Sequence, residues 1–319
     1  MAVYTQVSAE ALSAFLARYD CGDLVSAKGI AEGVENTNYL VDTTQDRFIL
    51  TLYEKRVAAE DLPFFMGLLD HLAAKGLAVP PAIKDRQGVE IQELEGRPAC
   101  LIKFLPGVSL SHPTPAQALA AGRAMAEMHV ALDDFAQVRI NTMGIGIWGE
   151  SLSRCGRPNM DSIHPGLFDR VASALTEVER DWPAYLPVSA IHADLFPDNV
   201  LMRGDEVSGL IDFYFACTDI RLYDLAVMHT SWCFDTEGRN YDPAIGAALL
   251  EGYGTVIDLA GGDRSALHIL SMGACVRFLL SRAWDWLNTP ADALVTRKDP
   301  LAYLRRLEFY QQAGATTFQ

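Results

Sequence analysis

Positive charge is in short supply in this chain. Its 319 residues hold 26 lysines and arginines against 41 aspartates and glutamates, a formal net charge of −15. Such an acidic surface repels phosphate backbones and anionic headgroups, so neither nucleic acid nor a membrane is expected as a partner. A nucleotide remains admissible where a metal ion or backbone dipoles offset the field. The six cysteines, at positions 21, 100, 155, 217, 233 and 275, form no C-x-x-C pair. Free buried thiols in a reducing compartment follow, rather than a disulfide framework. None of the histidines stands in an H-x-x-x-H pair, which argues against that type of zinc site. The opening MAVYTQVSAEAL has no basic flank before an apolar core, so it does not read as a signal peptide. Nor does an apolar run approach the roughly 18 residues of a membrane span. Internal repeats and low-complexity segments are lacking as well. A cytoplasmic protein is expected.

Half of the residues are hydrophobic, enough for one large domain or two moderate ones. Ser8 has the character of an N-cap, and Leu12, Phe15, Leu16 and Tyr19 repeat at helical spacing after it. Two alternating segments, Val25 to Ile30 and Tyr39 to Val41, flank a polar turn, and RFILTLYEK continues the strand pattern. A helical stripe runs through Leu62, Phe65, Met66, Leu69 and Leu72, followed by strand-like pieces at Val89–Ile91 and ACLIKFL. Beyond Pro106-Gly107 helical patterns dominate: 116–132, 167–178, 244–253, 264–287 and 301–311. The fold class is therefore α+β and bilobal. A small β-rich lobe spans 1–105, a hinge lies near 103–107, and a larger mainly helical lobe spans 106–319. One G-x-G-x-x-G, at Gly144, Gly146 and Gly149, lacks a preceding strand and is followed by the breaker-rich SLSRCGRPNM, so it reads as connecting loop.

The densest polar stretch is HADLFPDNVLM, His192 to Met202. A His-x-Asp metal pair has no third ligand at useful spacing, and a plain Asp/Asn turn is the simplest reading of the stretch by itself. The next segment changes the balance. After the turn Arg203–Glu206 the chain runs VSGLIDFYF, setting Asp212 among apolar residues, where a carboxylate is costly unless paired or metal-bound. An Asp, an Asn five residues on and a second Asp beyond a hairpin is the layout of phosphoryl transfer in kinases. There Asp194 would orient the attacking hydroxyl as base, Asn199 and Asp212 would hold Mg²⁺ on the phosphates of ATP, and His192 would brace the loop.

HADLFPDN together with IDFYF resembles the superfamily of aminoglycoside phosphotransferases and choline kinases, small-molecule kinases with a protein-kinase-like fold. Within it the stretches KGIAEGVENTNYLV, FILTLYEKR, LPFFMGLLDHLAAKG and RFLLSRAWDWL are most similar to bacterial homoserine kinases of that fold. The resemblance implies ATP-dependent phosphorylation of the L-homoserine hydroxyl in threonine biosynthesis. Two alternatives stay open: a kinase of choline, another amino alcohol or an aminoglycoside, and a non-catalytic nucleotide-binding pseudokinase.

In such kinases a loop covers the nucleotide phosphates where GIAEGVENTNYLV stands. Gly33 there permits close backbone approach, while Asn36 and Asn38 supply amide groups. The backbone of Phe104 and Leu105, after Lys103, would meet an adenine edge. One departure concerns the cation usually carried by the third strand: that slot holds Thr51, leaving Lys55 or Lys28 as candidates, with Glu60 as an acidic partner. Lys55 reads equally well as a solvated charge at a strand end. For the acceptor, the late helix offers Arg277, Arg282 and Asp285 beside Trp284 and Trp286. Arg282 and Asp285 could equally be an ordinary surface ion pair.

Overall fold

Ser8 caps the first helix as its position suggests: its hydroxyl accepts the Ala11 amide, and α1 (Ala9–Leu16) buries Leu12, Phe15 and Leu16. This computed structural model describes residues 5–30, 36–54, 57–289 and 297–319. By their internal contacts the residues form two units, Met1–Pro106 with Gly209–Tyr214, and Gly107–Ser208 with Phe215–Gln319.

In the first unit β1 (Leu24–Ile30), β2 (Thr37–Thr43), β3 (Arg47–Leu52), β4 (Gln92–Leu94) and β5 (Arg97–Lys103) make one antiparallel sheet in the order β1-β2-β3-β5-β4. The central β3 is RFILTL, whose branched and aromatic side chains favour the pleat, and Phe48, Leu50, Thr51 and Leu52 are buried. Helix α2 (Leu62–Ala74) buries seven side chains, among them Phe65, Leu68 and Leu72. The strand expected at Val89–Ile91 forms a few residues later, as β4. The Asp85 carboxylate accepts the Gln87 and Val89 amides, both at 2.8 Å, and so holds those residues in a turn. Residues 209–214 join this unit, although by chain order they belonged to the second lobe. The Leu210 amide donates to the Ala78 carbonyl, and the Tyr214 ring packs on Tyr53 and Phe65.

The second unit opens with β6 (Val108–Ser109) and α3 (Pro115–Ala131), whose Thr114 and Gln117 form a capping box. Next come α4 (Trp148–Cys155), α5 (Arg157–Ile163) and α6 (Leu167–Asp181). The expected loop after Gly149 is thus α4 and α5, broken at Gly156, with Pro158 in the first turn of α5. Gly144 and Gly146 lie at a single 3₁₀ turn, Ile145–Ile147, and not at the start of a dinucleotide fold. Four short strands follow: β7 (Val188–Ile191), β8 (Val200–Arg203), β9 (Glu206–Leu210) and β10 (Cys217–Ile220). Strand β7 pairs with β10, while β8 lies between β6 and β9. The remaining helices are α7 (Arg221–Trp232), α8 (Pro243–Gly254), α9 (Gly261–Asn288) and α10 (Leu301–Ala313).

Helices α3 and α8 touch backbone to backbone. A Cβ on Gly122 would strike the Leu249 carbonyl, and one on Gly252 the Leu119 carbonyl. Helix α9 is long and apolar enough by composition to cross a membrane, which the sequence reading did not expect, and 78% of its 18-residue window is buried inside the protein. It serves as the central core helix here. All six cysteines are free and buried.

His229 on α7 sits in this core, its Nδ1 2.6 Å from the Tyr310 hydroxyl and its ring against Phe318. Burial lowers its pKa to about 3. A folded pKa below the ordinary value means that stability is fully present above about pH 6.5 and declines as pH falls from there towards 3. Wild type should lose on the order of 2 kcal/mol between pH 7 and pH 5 from this group. Urea melts of wild type and His229→Gln should show a shallower pH dependence in the variant, and parallel curves would contradict it.

Candidate active site

Strand β7 ends at Ile191, and the polar loop begins immediately. Ala193 adopts φ 63°, a left-handed conformation that costs a non-glycine residue about 1–2 kcal/mol. Side chains from two helices, α7 and α9, hold it there. The Asp224 carboxylate on α7 accepts the His192 amide at 2.8 Å and the Ala193 amide at 2.7 Å. Arg277 on α9 donates to the Ala193 carbonyl, and the Trp232 indole to the Leu195 carbonyl at 3.0 Å. Downstream, the 3₁₀ turn Pro197–Asn199 is tied to the β6 segment: the Ser109 hydroxyl donates to the Asp198 carbonyl and the Leu110 amide to the Pro197 carbonyl.

Asp194, half-buried, sits at the centre of this frame. Its amide donates to His192 Nδ1 at 3.3 Å, so that histidine, fully buried, lies within the loop. The Asn199 amide group donates to the Asp194 carbonyl at 2.8 Å and lies 3.4 Å from its carboxylate. Asn199 thus orients Asp194 with its nitrogen.

Asp224 was missed in the sequence, although an acidic residue inside the apolar run RLYDLAVMH was a signal. It is completely buried, and its Oδ2 lies 3.0 Å from Nε2 of His129 on α3, whose Nδ1 lies 2.9 Å from the Tyr253 hydroxyl on α8. Burial pushes this carboxyl upward. The hydrogen bond and charge of His129, with His192 and its amide, outweigh that and hold the carboxyl below its ordinary value.

Asp212 belongs to the first unit and lies two residues past β9. It is exposed, not buried as expected from its apolar neighbours: its left-handed φ of 65° turns it out while Phe213 turns in. Two residues on, the Tyr214 hydroxyl lies 3.1 Å from that of Tyr53. Elsewhere in this unit Thr51 is buried on β3 and donates to the Asn38 Oδ1 at 2.8 Å, while the Asn36 Oδ1 accepts the Glu54 amide at 3.4 Å. Both asparagine oxygens are thus engaged within this unit. Lys28 is exposed on β1, opposite Leu40, and Glu60 is exposed on a 3₁₀ turn. Gly33 and Lys55 lie outside the described residues. Phe104 and Leu105 are half-buried just past β5, with the Arg47 guanidinium 5.4 Å from the Phe104 ring centre.

A model of the phosphotransferase enzyme family matches residues 26–264. The homoserine kinase of Gluconobacter oxydans is 51% identical over 98% of this chain and 99% of its own length. That of Xanthobacter autotrophicus is 50% identical over 98% and 96%. The chain belongs to this phosphotransferase family. Among solved structures, an amicoumacin kinase in complex with AMP-PNP, Ca²⁺ and Ami superposes with a TM-score of 0.71 at 14% identity, covering 97% of this chain and 95% of its own, which shows the shared kinase-like fold.

In this phosphotransferase the three candidates on α9 part company. Arg277 is buried and spent on the Ala193 carbonyl, its guanidinium 4.5 Å from the Phe278 ring centre and 5.6 Å from that of Phe215. Arg282 is half-buried and donates to the Asp299 carbonyl, not to Asp285, with its guanidinium over Tyr303. Asp285 is half-buried one turn on. Because Asp224 holds the strained loop through the His192 and Ala193 amides, Asp224→Asn should lower kcat by about 10- to 100-fold, with the KM for ATP little changed. Steady-state kinetics on the folded variant check this, and an unaltered kcat would contradict it.

Proposed function

We infer that this chain is an ATP-dependent kinase of L-homoserine, forming O-phosphohomoserine on the way to threonine. Near-full-length identity of about half the residues with homoserine kinases is the observation that carries this reading. A reducing cytoplasm suits six free buried thiols.

Asp194 is the base: it orients the acceptor hydroxyl and takes its proton. Asn199 and Asp212 are the Mg²⁺ ligands. An amide oxygen and an exposed carboxylate are the hard oxygen donors that magnesium takes alongside phosphates. When bound, the ion offsets the negative charge of the nucleotide phosphates. Gly33, Asn36 and Asn38 cover those phosphates, Lys55 or Lys28 supplies the cation absent from the Thr51 position, and the backbone of Phe104 and Leu105 receives the adenine. Arg282 and Asp285 belong to the acceptor side, while Arg277, first a candidate there, serves by holding the Ala193 carbonyl.

A site built for a substrate's charged groups rejects analogues that lack them, because its own groups are then left unpaired. In an ADP-release assay L-homoserine should exceed choline in kcat/KM by at least about 10³-fold. Comparable values would overturn the acceptor and leave the kinase. Two variants separate the roles of the carboxylates. Asp194→Asn should lower kcat by about 10²–10⁴-fold and still bind ATP, whereas Asp212→Ala should lose Mg²⁺-dependent ATP binding in calorimetry. Near-normal turnover in the first, or unchanged affinity in the second, would remove that residue from its role.

A further inference from the structure

Three guanidinium groups gather on one stack of rings in the second unit. Phe196, in the loop that carries Asp194, packs on Phe278 of α9 with ring centres 4.9 Å apart, and Phe278 stacks on Tyr303 of α10 at 5.1 Å. Arg277 lies 4.5 Å from the Phe278 ring centre, and Arg282 and Arg306 each lie 4.5 Å from that of Tyr303. Two like charges thus share one aromatic ring.

Among the described residues none of the three has a carboxylate partner. Their hydrogen bonds go to the carbonyls of Ala193, Asp299 and Asp235. By contrast Arg305, the neighbour of Arg306 on α10, lies 3.6 Å from the Asp299 carboxylate. Inside the cluster Arg306 Nε and Nη1, the Tyr303 hydroxyl and Arg277 Nε are buried with no hydrogen-bond partner. In a chain with a net charge of −15, leaving buried cations unpaired is a costly arrangement that an incoming anion relieves.

We propose that Arg282, backed by Arg306 and Tyr303, takes the carboxylate of the amino-acid acceptor; this rests on the reading of the chain as a homoserine kinase. Arg282 is the half-buried member of the three, and among the described residues only its Nη1 is engaged, at 3.3 Å from the Asp299 carbonyl. The rest of its planar fork is open to a two-pronged contact with a carboxylate. The Tyr303 ring fixes the plane of that fork, and Arg306 adds positive charge behind it. Burial lowers the Arg282 pKa, with the like charge of Arg306 adding to the effect, and a bound carboxylate offsets both. Phe196, two residues past Asp194, packs on Phe278, so the cluster lies against the loop that carries Asp194. Arg277, spent on the loop carbonyl, is a positioning residue.

The test compares L-homoserine with 3-amino-1-propanol, which keeps the ammonium and hydroxyl and lacks the carboxylate. Arg282→Met should raise the KM for homoserine by about 50- to 1,000-fold while kcat/KM for aminopropanol and the KM for ATP stay within about threefold. Arg277→Lys should instead lower kcat on both acceptors. If Arg282→Met does not fold, Arg282→Lys reads the same split at about tenfold, since lysine keeps the charge and loses the fork. An unchanged homoserine KM, or equal losses on both acceptors and ATP, overturns the carboxylate site with the kinase reading intact. A wild-type enzyme inactive on homoserine and active on another acceptor overturns the kinase reading first, and the site with it.

Discussion

One buried carboxylate holds the candidate active site together. Asp224 accepts two consecutive amides of the loop, His192 and Ala193, and a third contact from His129. A fully buried charge is tolerable only when its lone pairs are filled, and here they are. The two amide bonds compensate the left-handed turn at Ala193, and that turn brings Asp194 out of the β7 strand line. Helices α3 and α8 approach closely through Gly122 and Gly252, which sets Tyr253 against His129, the partner of Asp224. Backbone packing between two helices thus bears on the surroundings of the carboxylate that holds the candidate loop.

Much of the frame was legible in the residues. The capped first helix, the three-strand core of the sheet and the five long helices follow from apolar periodicity and capping. Helix α7 was not legible, because ten of its twelve residues are buried and it has no polar face to set a period. Helices α4 and α5 were hidden by Gly156 and Pro158, which mark the break between two short helices rather than a loop.

The loop from Asp194 to Asn199 stood out by polar density alone. A carboxylate among apolar residues must be compensated, and here that holds for Asp224 rather than for Asp212. Both stand in apolar runs, RLYDLAVMH and GLIDFYF, and only backbone conformation separates them. Asp224 lies on a buried helix, while a left-handed φ turns Asp212 outward. A single sequence carries no signal for that difference. Nor does it distinguish Arg277 from Arg282, five residues apart on one helix: one is spent on a loop carbonyl and the other lies over Tyr303 at the edge of an unpaired cluster.

The central claim is that Asp224 fixes the backbone from which Asp194 works. Amide hydrogen exchange at His192 and Ala193 tests it most directly. In wild type both amides should exchange only through global unfolding, as slowly as core amides of α7, and Asp224→Asn should release them selectively by at least about tenfold. Exchange at both positions in wild type as fast as in a surface loop would contradict the account.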